Sequence, residues 1–124
     1  MRIIVISDTH QYYRNFETIV LRNPDADMFL HLGDGESEYQ LLCRNMPEVA
    51  DKFRYVKGNC DYGSDAPLTE LIDVAPNHRI LATHGHCYRV NSTLDYLEQE
   101  ALENGCDVAL YGHTHESRCT YENG

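Results

Sequence analysis

The sequence has no long hydrophobic run. Its longest apolar stretches, such as IIVI and MFLHL, have the length of a strand, and none approaches the roughly 18 residues that a membrane-spanning helix needs. The chain begins MRIIVISDTH, where polar residues follow a short apolar run at once, and this is not the pattern of a signal peptide. We therefore expect a cytoplasmic protein with no membrane partner.

Paired cysteines and basic patches are also missing. The 5 cysteines are odd in number and form no CxxC pair, so free thiols in a reducing compartment are expected.

Only 10 Lys and Arg stand against 20 Asp and Glu, which gives a formal net charge of −10. Because such a surface repels nucleic-acid backbones, and no basic stripe offsets it, we expect no nucleic-acid polymer as a partner.

What remains is the pattern of one α/β domain over residues 1–124. Short apolar runs alternate with amphipathic segments, which predicts a largely parallel central sheet. Strands are predicted at 2–7, 27–32, 53–57, 68–74, 79–84, 107–111 and 117–122, and helices at 15–22, 36–45 and 92–104. The neighbouring strands 68–74 and 79–84 could pair antiparallel, so the sheet is expected to be mixed.

The helix at 92–104 has the clearest end signals. Ser92 and Asp95 resemble a capping box, and Gly105 stands where a helix commonly ends. The helix at 36–45 precedes Pro47, which is expected to end it. Glu36 and Glu38 then lie in its first turn, where the helix dipole favours negative charge.

Polar side chains follow five of the predicted strands. They occur as Asp8-Thr9-His10, Gly33-Asp34, Gly58-Asn59, His84-Gly85-His86 and Gly112-His113-Thr114-His115. Because ligand sites of open α/β sheets form beyond the carboxyl ends of strands, these side chains are expected to meet at one edge. Imidazole and carboxylate suit divalent transition metals. The set is too large for one four-coordinate ion, whereas two ions about 3.5–4 Å apart, bridged by a carboxylate, would use it.

The spacing of His113 and His115 fits two neighbouring ions. In an extended segment, residues i and i+2 point to the same side with α-carbons roughly 6.5–7 Å apart, so each imidazole could bind a different ion. Gly112 before them would let the backbone approach the site closely. Each motif alone could be an ordinary turn, but their joint occurrence at strand ends favours a metal site.

The motifs D-x-H, G-D, G-N, H-G-H and G-H-T-H together resemble the calcineurin-like metallophosphoesterase superfamily, from Asp8 to His115. The chain has GNCD where many relatives have GNHE, and it is short. In both respects it is similar to the small single-domain phosphodiesterase branch of bacteria and archaea. The resemblance implies a β-sandwich-like fold with four layers, α/β/β/α, and a site at the carboxyl ends of the strands. Relatives usually continue through further strands, so the C-terminal strands of this fold are expected to be missing here.

The resemblance also implies two divalent metal ions, Mn²⁺ first, with Fe, Ni, Co or Zn as alternatives. The first ion would be held by Asp8, His10 and His115, the second by Asn59, His84 and His113, and both by the bridging Asp34. In this family a hydroxide between the ions attacks phosphorus, which implies a phosphoesterase for a small phosphate ester, with diesters favoured. A phosphomonoesterase, a nucleotide-anhydride hydrolase and a non-catalytic metal-binding scaffold of the same fold are the alternatives.

One motif departs from the common family pattern. Relatives with GNHE place a histidine near the leaving group, where this chain has Cys60, followed by Asp61. A neutral thiol replaces that histidine poorly. We therefore expect His86 to contact the phosphate or the leaving oxygen, and count it with Asn59 as catalytic.

His31 either orients Asp34 or is a hydrogen-bonded histidine beneath the site, and the loop 61–67 shapes substrate access. No oligomeric state is indicated.

Overall fold

The computed structural model describes residues 2–10, 12–74 and 77–114. Its elements are β1 (Ile3–Ile6), α1 (Tyr13–Leu21), β2 (Met28–His31), α2 (Glu36–Asn45), α3 (Pro47–Ala50), β3 (Phe53–Tyr55), β4 (Thr69–Val74), β5 (His78–Thr83), a 3₁₀ turn (His86–Tyr88), α4 (Asp95–Glu103) and β6 (Val108–Leu110). Every strand and helix predicted within these residues is present, with mostly shorter ends. The predicted strand 117–122 lies outside them, as does His115.

The strands are divided between two sheets. The first sheet has the order β1-β2-β3 and is parallel throughout, because a helix returns the chain between consecutive strands. The second has the order β4-β5-β6, with β4 antiparallel and β6 parallel to β5. The antiparallel pairing predicted for residues 68–74 and 79–84 is confirmed, and the described strands together are mixed and mainly parallel.

Three apolar clusters separate four layers. Side chains along β2 alternate, so Phe29 packs with Phe16 of α1, whereas Leu30 faces the second sheet. The cluster around Leu30 also contains Ile72 and Ile80 of the second sheet, so the two sheets pack face to face. The third cluster joins that sheet to α4, and its buried members are Leu81, Val90, Leu97, Ala101 and Cys106. The four-layer α/β/β/α arrangement implied by the family resemblance is confirmed.

The helix ends agree with the prediction except at the start of α4. Helix α4 begins at Asp95, after Leu94, and has no side-chain cap, so the proposed capping box at Ser92 and Asp95 is wrong. The other end agrees: Gly105 has φ +67°, and Cys106 N–H donates to Ala101 O at 2.8 Å, as in a Schellman motif. Pro47 ends α2 as predicted, but it also begins the one-turn helix α3.

Two further features concern the length of the helices and the state of the cysteines. No helix of residues 2–10, 12–74 and 77–114 is long and apolar enough to cross a membrane. Cysteines 43, 60, 87 and 106 are free thiols, as the odd number and the spacing predicted.

Candidate metal centre

The loops that follow five strands meet at one end of the two sheets. The loop after β1 is fixed to the loop after β2, because Asp8 N–H donates to Gly33 O at 2.9 Å and His10 N–H donates to Asp34 O at 3.1 Å. In the second sheet, Gly112 N–H donates to His84 O at 2.9 Å, which joins the loops after β5 and β6. His113 N–H donates to Asp8 Oδ2 at 3.0 Å across the two sheets, so both present polar side chains to a common site.

Two groups of side chains in this site could each hold a metal ion. One consists of Asp8, His10 and Asp34, and the other of Asp34, His84 and His113; within each group one ligand atom per residue lies within 4.8 Å of the others. Asp34 belongs to both groups. Asn59 extends the second, since its Oδ1 lies 3.0 Å from His84 Nε2. The structure thus brings together six of the seven predicted ligands, and His115 is outside the described residues.

The tautomer of His84 is defined by its contact with the first sheet. Its Nδ1 lies 2.7 Å from Leu32 O, and because a carbonyl oxygen can only accept, Nδ1 carries the proton. In the neutral ring, Nε2 then presents a lone pair. The side chain is 0% exposed, and Nε2 lies 3.2 Å from both Asp34 Oδ2 and His113 Nδ1. In that neutral tautomer, lone pairs of His84 Nε2 and Asp34 Oδ2 converge on one point, a set of nitrogen and oxygen donors that suits a divalent cation.

The backbone at these residues adopts an uncommon conformation. Four of the candidate ligands have positive φ angles: 56° for Asp8, 41° for His10, 62° for Asp34 and 68° for His113. Such angles cost an ordinary residue about 1–3 kcal/mol and accumulate at functional sites, where other contacts enforce them. Among the non-glycine residues that the structure describes, Arg89 is the one other residue with positive φ. The strain is therefore concentrated in the candidate metal centre.

The segment after β6 was predicted to be extended, and this is wrong. His113 is in the left-handed region, and Thr114 N–H donates to Gly112 O at 2.8 Å, which makes a tight turn. The geometric reason proposed for the i, i+2 spacing therefore does not apply. The close approach expected at Gly112 is present, since a Cβ there would lie 2.0 Å from Ser7 Oγ and 2.7 Å from Asp8 Oδ2. Only glycine fits this position.

Asp61 organises the loops around Asp34, and the sequence interpretation missed it. Its Oδ2 accepts hydrogen bonds from Gly58 N–H at 2.8 Å, Asp34 N–H at 3.0 Å and Tyr55 Oη–H at 2.7 Å. Its Oδ1 accepts from Glu36 N–H at 3.3 Å. Burial raises the pKa of Asp61, but these donors stabilise the carboxylate and bring the pKa below its usual value.

The access role expected for the loop 61–67 stays a prediction, and its first residue, Asp61, is 8% exposed and lies inside the site. The sequence contained one sign of this role, because Asp61 follows Asn59 by two residues and so lies close behind the strand-end motif Gly58-Asn59. Tyr55 belongs to the same network, and burial followed by its hydrogen bond to Asp61 raises the pKa of Tyr55. Tyr55 Oη also accepts from Gly35 N–H at 3.0 Å, so the network includes the turn after Asp34.

His86 and Cys60 lie beside the two groups. The His86 ring centroid is 5.4 Å from that of His84, and its Nδ1 is buried without a hydrogen-bond partner among the described residues. Burial, then the neighbouring imidazoles, lowers the pKa of His86. Cys60 N–H donates to Asp34 Oδ1 at 2.7 Å. Desolvation and the charge of Asp34 raise the pKa of the Cys60 thiol, so it is neutral.

His31 is a buried histidine beneath the site, one of its two predicted roles. Gly33 N–H donates to its Nδ1 at 3.1 Å, so Nε2 carries the proton and lies 3.2 Å from Thr9 Oγ1. Burial lowers the pKa of His31 to about 4. It holds the turn at Gly33, the residue before Asp34.

The chain is similar to proteins of a known family. The model of the calcineurin-like phosphoesterase superfamily domain matches residues 1–124. The chain belongs to this superfamily. Members of the family are metal-dependent, and the two ligand groups are consistent with that property.

Two curated relatives carry enzyme names. The chain is 34% identical over 116 residues to the probable metallophosphoesterase YsnB of Bacillus subtilis, covering 93% of this chain and 64% of that protein. It is 35% identical over 81 residues to the phosphodiesterase YfcE of Escherichia coli, covering 60% of this chain and 40% of YfcE. The chain therefore spans less than two thirds of the length of either relative.

Solved structures share the fold. A predicted phosphoesterase from Streptococcus pneumoniae has a TM-score of 0.78 at 29% identity, over 98% of this chain and 66% of that one. Vps29 of Entamoeba histolytica, solved in complex with Zn²⁺, has a TM-score of 0.76 at 24% identity, over 100% of this chain and 70% of that one. Of these two likenesses, the one to Vps29 concerns the fold alone.

Proposed function

We propose that this protein is a metal-dependent phosphoesterase that hydrolyses small phosphodiesters. The observation that carries the proposal is the pair of ligand groups that share Asp34. A carboxylate common to two adjacent groups is what a dinuclear centre needs, because it can bridge the ions. Membership of the superfamily and the names of YsnB and YfcE support the same chemistry.

The residues present fit two divalent ions. Asp8, His10 and Asp34, with His115, would hold the first, and Asn59, His84 and His113 would hold the second with Asp34. Mixed imidazole and oxygen ligands suit Mn²⁺, with Fe, Ni, Co or Zn as alternatives. When bound, such ions supply positive charge for the phosphoryl oxygens and lower the pKa of a coordinated water. Four positive charges against the carboxylates of Asp8 and Asp34 would make the site attractive to a phosphate ester.

The chain's own groups then position and contact the substrate. Asp61 holds the backbone of Asp34 by accepting a hydrogen bond from its N–H. The Cys60 N–H holds the side chain of Asp34 by donating to its Oδ1. His86 lies beside His84 with a buried nitrogen, so we assign it to a contact with the phosphate or the leaving oxygen, and Asn59 acts with it from the opposite loop. The neutral Cys60 thiol is a weak proton donor, which favours diesters with a good leaving group.

Two alternatives use the same fold. A phosphomonoester or a nucleotide anhydride could be the substrate of the same site. A non-catalytic metal-binding scaffold of the same fold is the second alternative. Catalysis is better supported, because six candidate ligands converge in the described residues and YsnB and YfcE have enzyme names.

We further propose that residues 1–124 act as one domain in the cytoplasm, which the free thiols support.

The test is hydrolysis of a chromogenic phosphodiester by protein stripped of metal and then titrated with Mn²⁺. Turnover should be absent without metal and appear as Mn²⁺ is added. The same titration with Mg²⁺, which prefers oxygen ligands, is the matched control and should restore less activity. Folded protein that binds Mn²⁺ but turns over neither diester, monoester nor anhydride would favour the scaffold.

A further inference from the structure

The two carboxylate oxygens of Asp8 have different surroundings. Oδ1 lies 3.5 Å from His10 Nε2 and 3.7 Å from His84 Nε2, so it is directed toward the candidate metal ligands. Oδ2 instead accepts a hydrogen bond of 3.0 Å from the His113 backbone N–H and a second one from the Ser7 hydroxyl. The carboxylate is therefore held by donors at one oxygen and faces the metal centre with the other.

The Ser7 hydroxyl is the donor in its contact with Asp8. An ionised carboxylate can only accept, so the proton lies on Ser7 Oγ and points to Asp8 Oδ2. Hydrogen bonds to a charged acceptor are stronger than those between neutral groups. Ser7 therefore restrains rotation of the Asp8 carboxylate.

The loop after β6 is packed against the same hydroxyl. A Cβ at position 112 would lie 2.0 Å from Ser7 Oγ and 2.9 Å from Ser7 Cβ. Glycine at 112 thus leaves the space in which the hydroxyl reaches Asp8 Oδ2. The next residue, His113, supplies the second donor to that oxygen.

Holding the main chain after β1 does not require the Ser7 side chain. Asp8 N–H donates to Gly33 O, and His10 N–H donates to Asp34 O, so backbone hydrogen bonds already join this loop to the loop after β2. The Ser7 hydroxyl donates to a side chain rather than to a backbone carbonyl. Its effect therefore falls on the orientation of the Asp8 carboxylate.

We propose that Ser7 is a positioning residue, which holds Asp8 Oδ2 so that Asp8 binds the first metal ion through Oδ1 alone. The inference rests on the metal centre of the proposed function and adds a residue outside the seven candidate ligands. A carboxylate can bind a metal ion through one oxygen or through both. Loss of a partner that orients a metal ligand typically costs 10–100-fold in metal affinity or activity.

The test measures the Mn²⁺ binding steps of Ser7→Ala by calorimetry. His10→Ala identifies the step that belongs to the first ligand group, because His10 is in that group and not in the second. Ser7→Ala should weaken this same step by about 10–100-fold and leave the other step nearly unchanged. Equal weakening of both steps, as general loosening of the site would give, or no change in either step, would overturn the inference.

Two further serine variants show whether the hydroxyl at position 7 is responsible. Ser7→Thr keeps a hydroxyl on the same carbon atom and should restore most of the affinity that Ser7→Ala loses. Ser92→Ala removes the hydroxyl of an exposed serine, is the matched control, and should bind Mn²⁺ like the wild type. Affinity in Ser7→Thr as low as in Ser7→Ala would mean that the hydroxyl does not hold Asp8.

Binding and turnover separate this inference from the proposed hydrolysis. Selective loss of the His10-dependent step in Ser7→Ala, in a protein that hydrolyses no phosphate ester, supports the role of Ser7 and refutes the proposed function. Diester hydrolysis by the wild type, with Ser7→Ala binding Mn²⁺ as tightly as the wild type in every step, supports the function and refutes the role of Ser7.

Discussion

Asp61 Oδ2 accepts a hydrogen bond of 3.0 Å from the backbone N–H of Asp34, the residue that both ligand groups share. The same oxygen accepts from Gly58 N–H and Tyr55 Oη–H. One buried carboxylate thus fixes the two loops that carry Asp34 and Asn59. We assign Asp61 as a positioning residue, because it is in neither ligand group and acts through the backbone.

Replacing Asp61 with asparagine should weaken the metal centre without removing a ligand. The amide keeps one acceptor oxygen but directs donors toward backbone N–H groups, so the turn at Asp34 loosens. Loss of such an outer contact typically costs 10–100-fold in metal affinity or activity, and we expect about that loss in Mn²⁺ affinity measured by calorimetry. Asp65→Asn, an exposed aspartate of the same loop, is the control, and equal behaviour of the two variants would contradict the positioning role.

Removal of a shared or central ligand should abolish turnover. Asp34→Asn removes the proposed bridge, and His84→Ala removes the nitrogen around which the second group converges. Each variant should retain no measurable activity toward a chromogenic diester at any Mn²⁺ concentration. The exposed Asp51→Asn variant should behave as wild type. Near wild-type activity in Asp34→Asn or His84→Ala would exclude the ligand assignments.

Cys60→Ser should be mild. The backbone N–H of Cys60 makes the contact with Asp34, and this contact survives a change of side chain. The thiol is neutral, because desolvation and Asp34 raise its pKa, so a hydroxyl of similar size replaces it with a change in kcat/KM within roughly threefold. A loss as large as that of Asp34→Asn would show that the sulfur takes part in the reaction.

Acid should destabilise the protein through His31. Burial lowers its pKa in the folded state to about 4, below the value of 6.5 for an unperturbed histidine. The unfolded chain therefore binds a proton that the folded one does not, and stability falls as the pH drops from about 6.5 to about 4. Between pH 7.5 and 5 this amounts to about 2 kcal/mol of unfolding free energy.

The variant His31→Phe removes that titration while keeping a ring against Phe16 and Tyr55. Its unfolding free energy, from urea titrations, should depend less on pH than that of the wild type by about the 2 kcal/mol given above, even though its absolute stability is lower. Parallel pH profiles of the two proteins would mean that His31 is not the group responsible.

Local sequence signals predicted much of the fold. The alternation of Phe29 and Leu30 toward opposite sides of β2 follows from strand periodicity, and helix α2 ends where Pro47 requires it. The division into two sheets did not follow from the apolar runs. The residues of a single strand do not show which sheet it joins, so only the family resemblance indicated the sandwich.

The candidate site was predictable where a residue type and a strand end coincide. Asp8, Asp34 and His84 follow strands, and the rule that ligands bind beyond carboxyl ends brought them together. Asp61 escaped notice because its partners are mostly backbone N–H groups, which no residue pattern reveals. The left-handed backbone of His113 was missed for the same reason, since its N–H donates to Asp8 Oδ2, in a loop far away along the chain.

The central claim is a dinuclear centre that shares Asp34, and metal stoichiometry tests it most directly. Metal-free protein would be titrated with Mn²⁺ by calorimetry, with diester turnover followed in the same samples. Binding of two ions per chain, with turnover that appears as the second site fills, is the predicted result. Saturation at one ion per chain, or two ions in Asp34→Asn bound as tightly as in the wild type, would contradict the account.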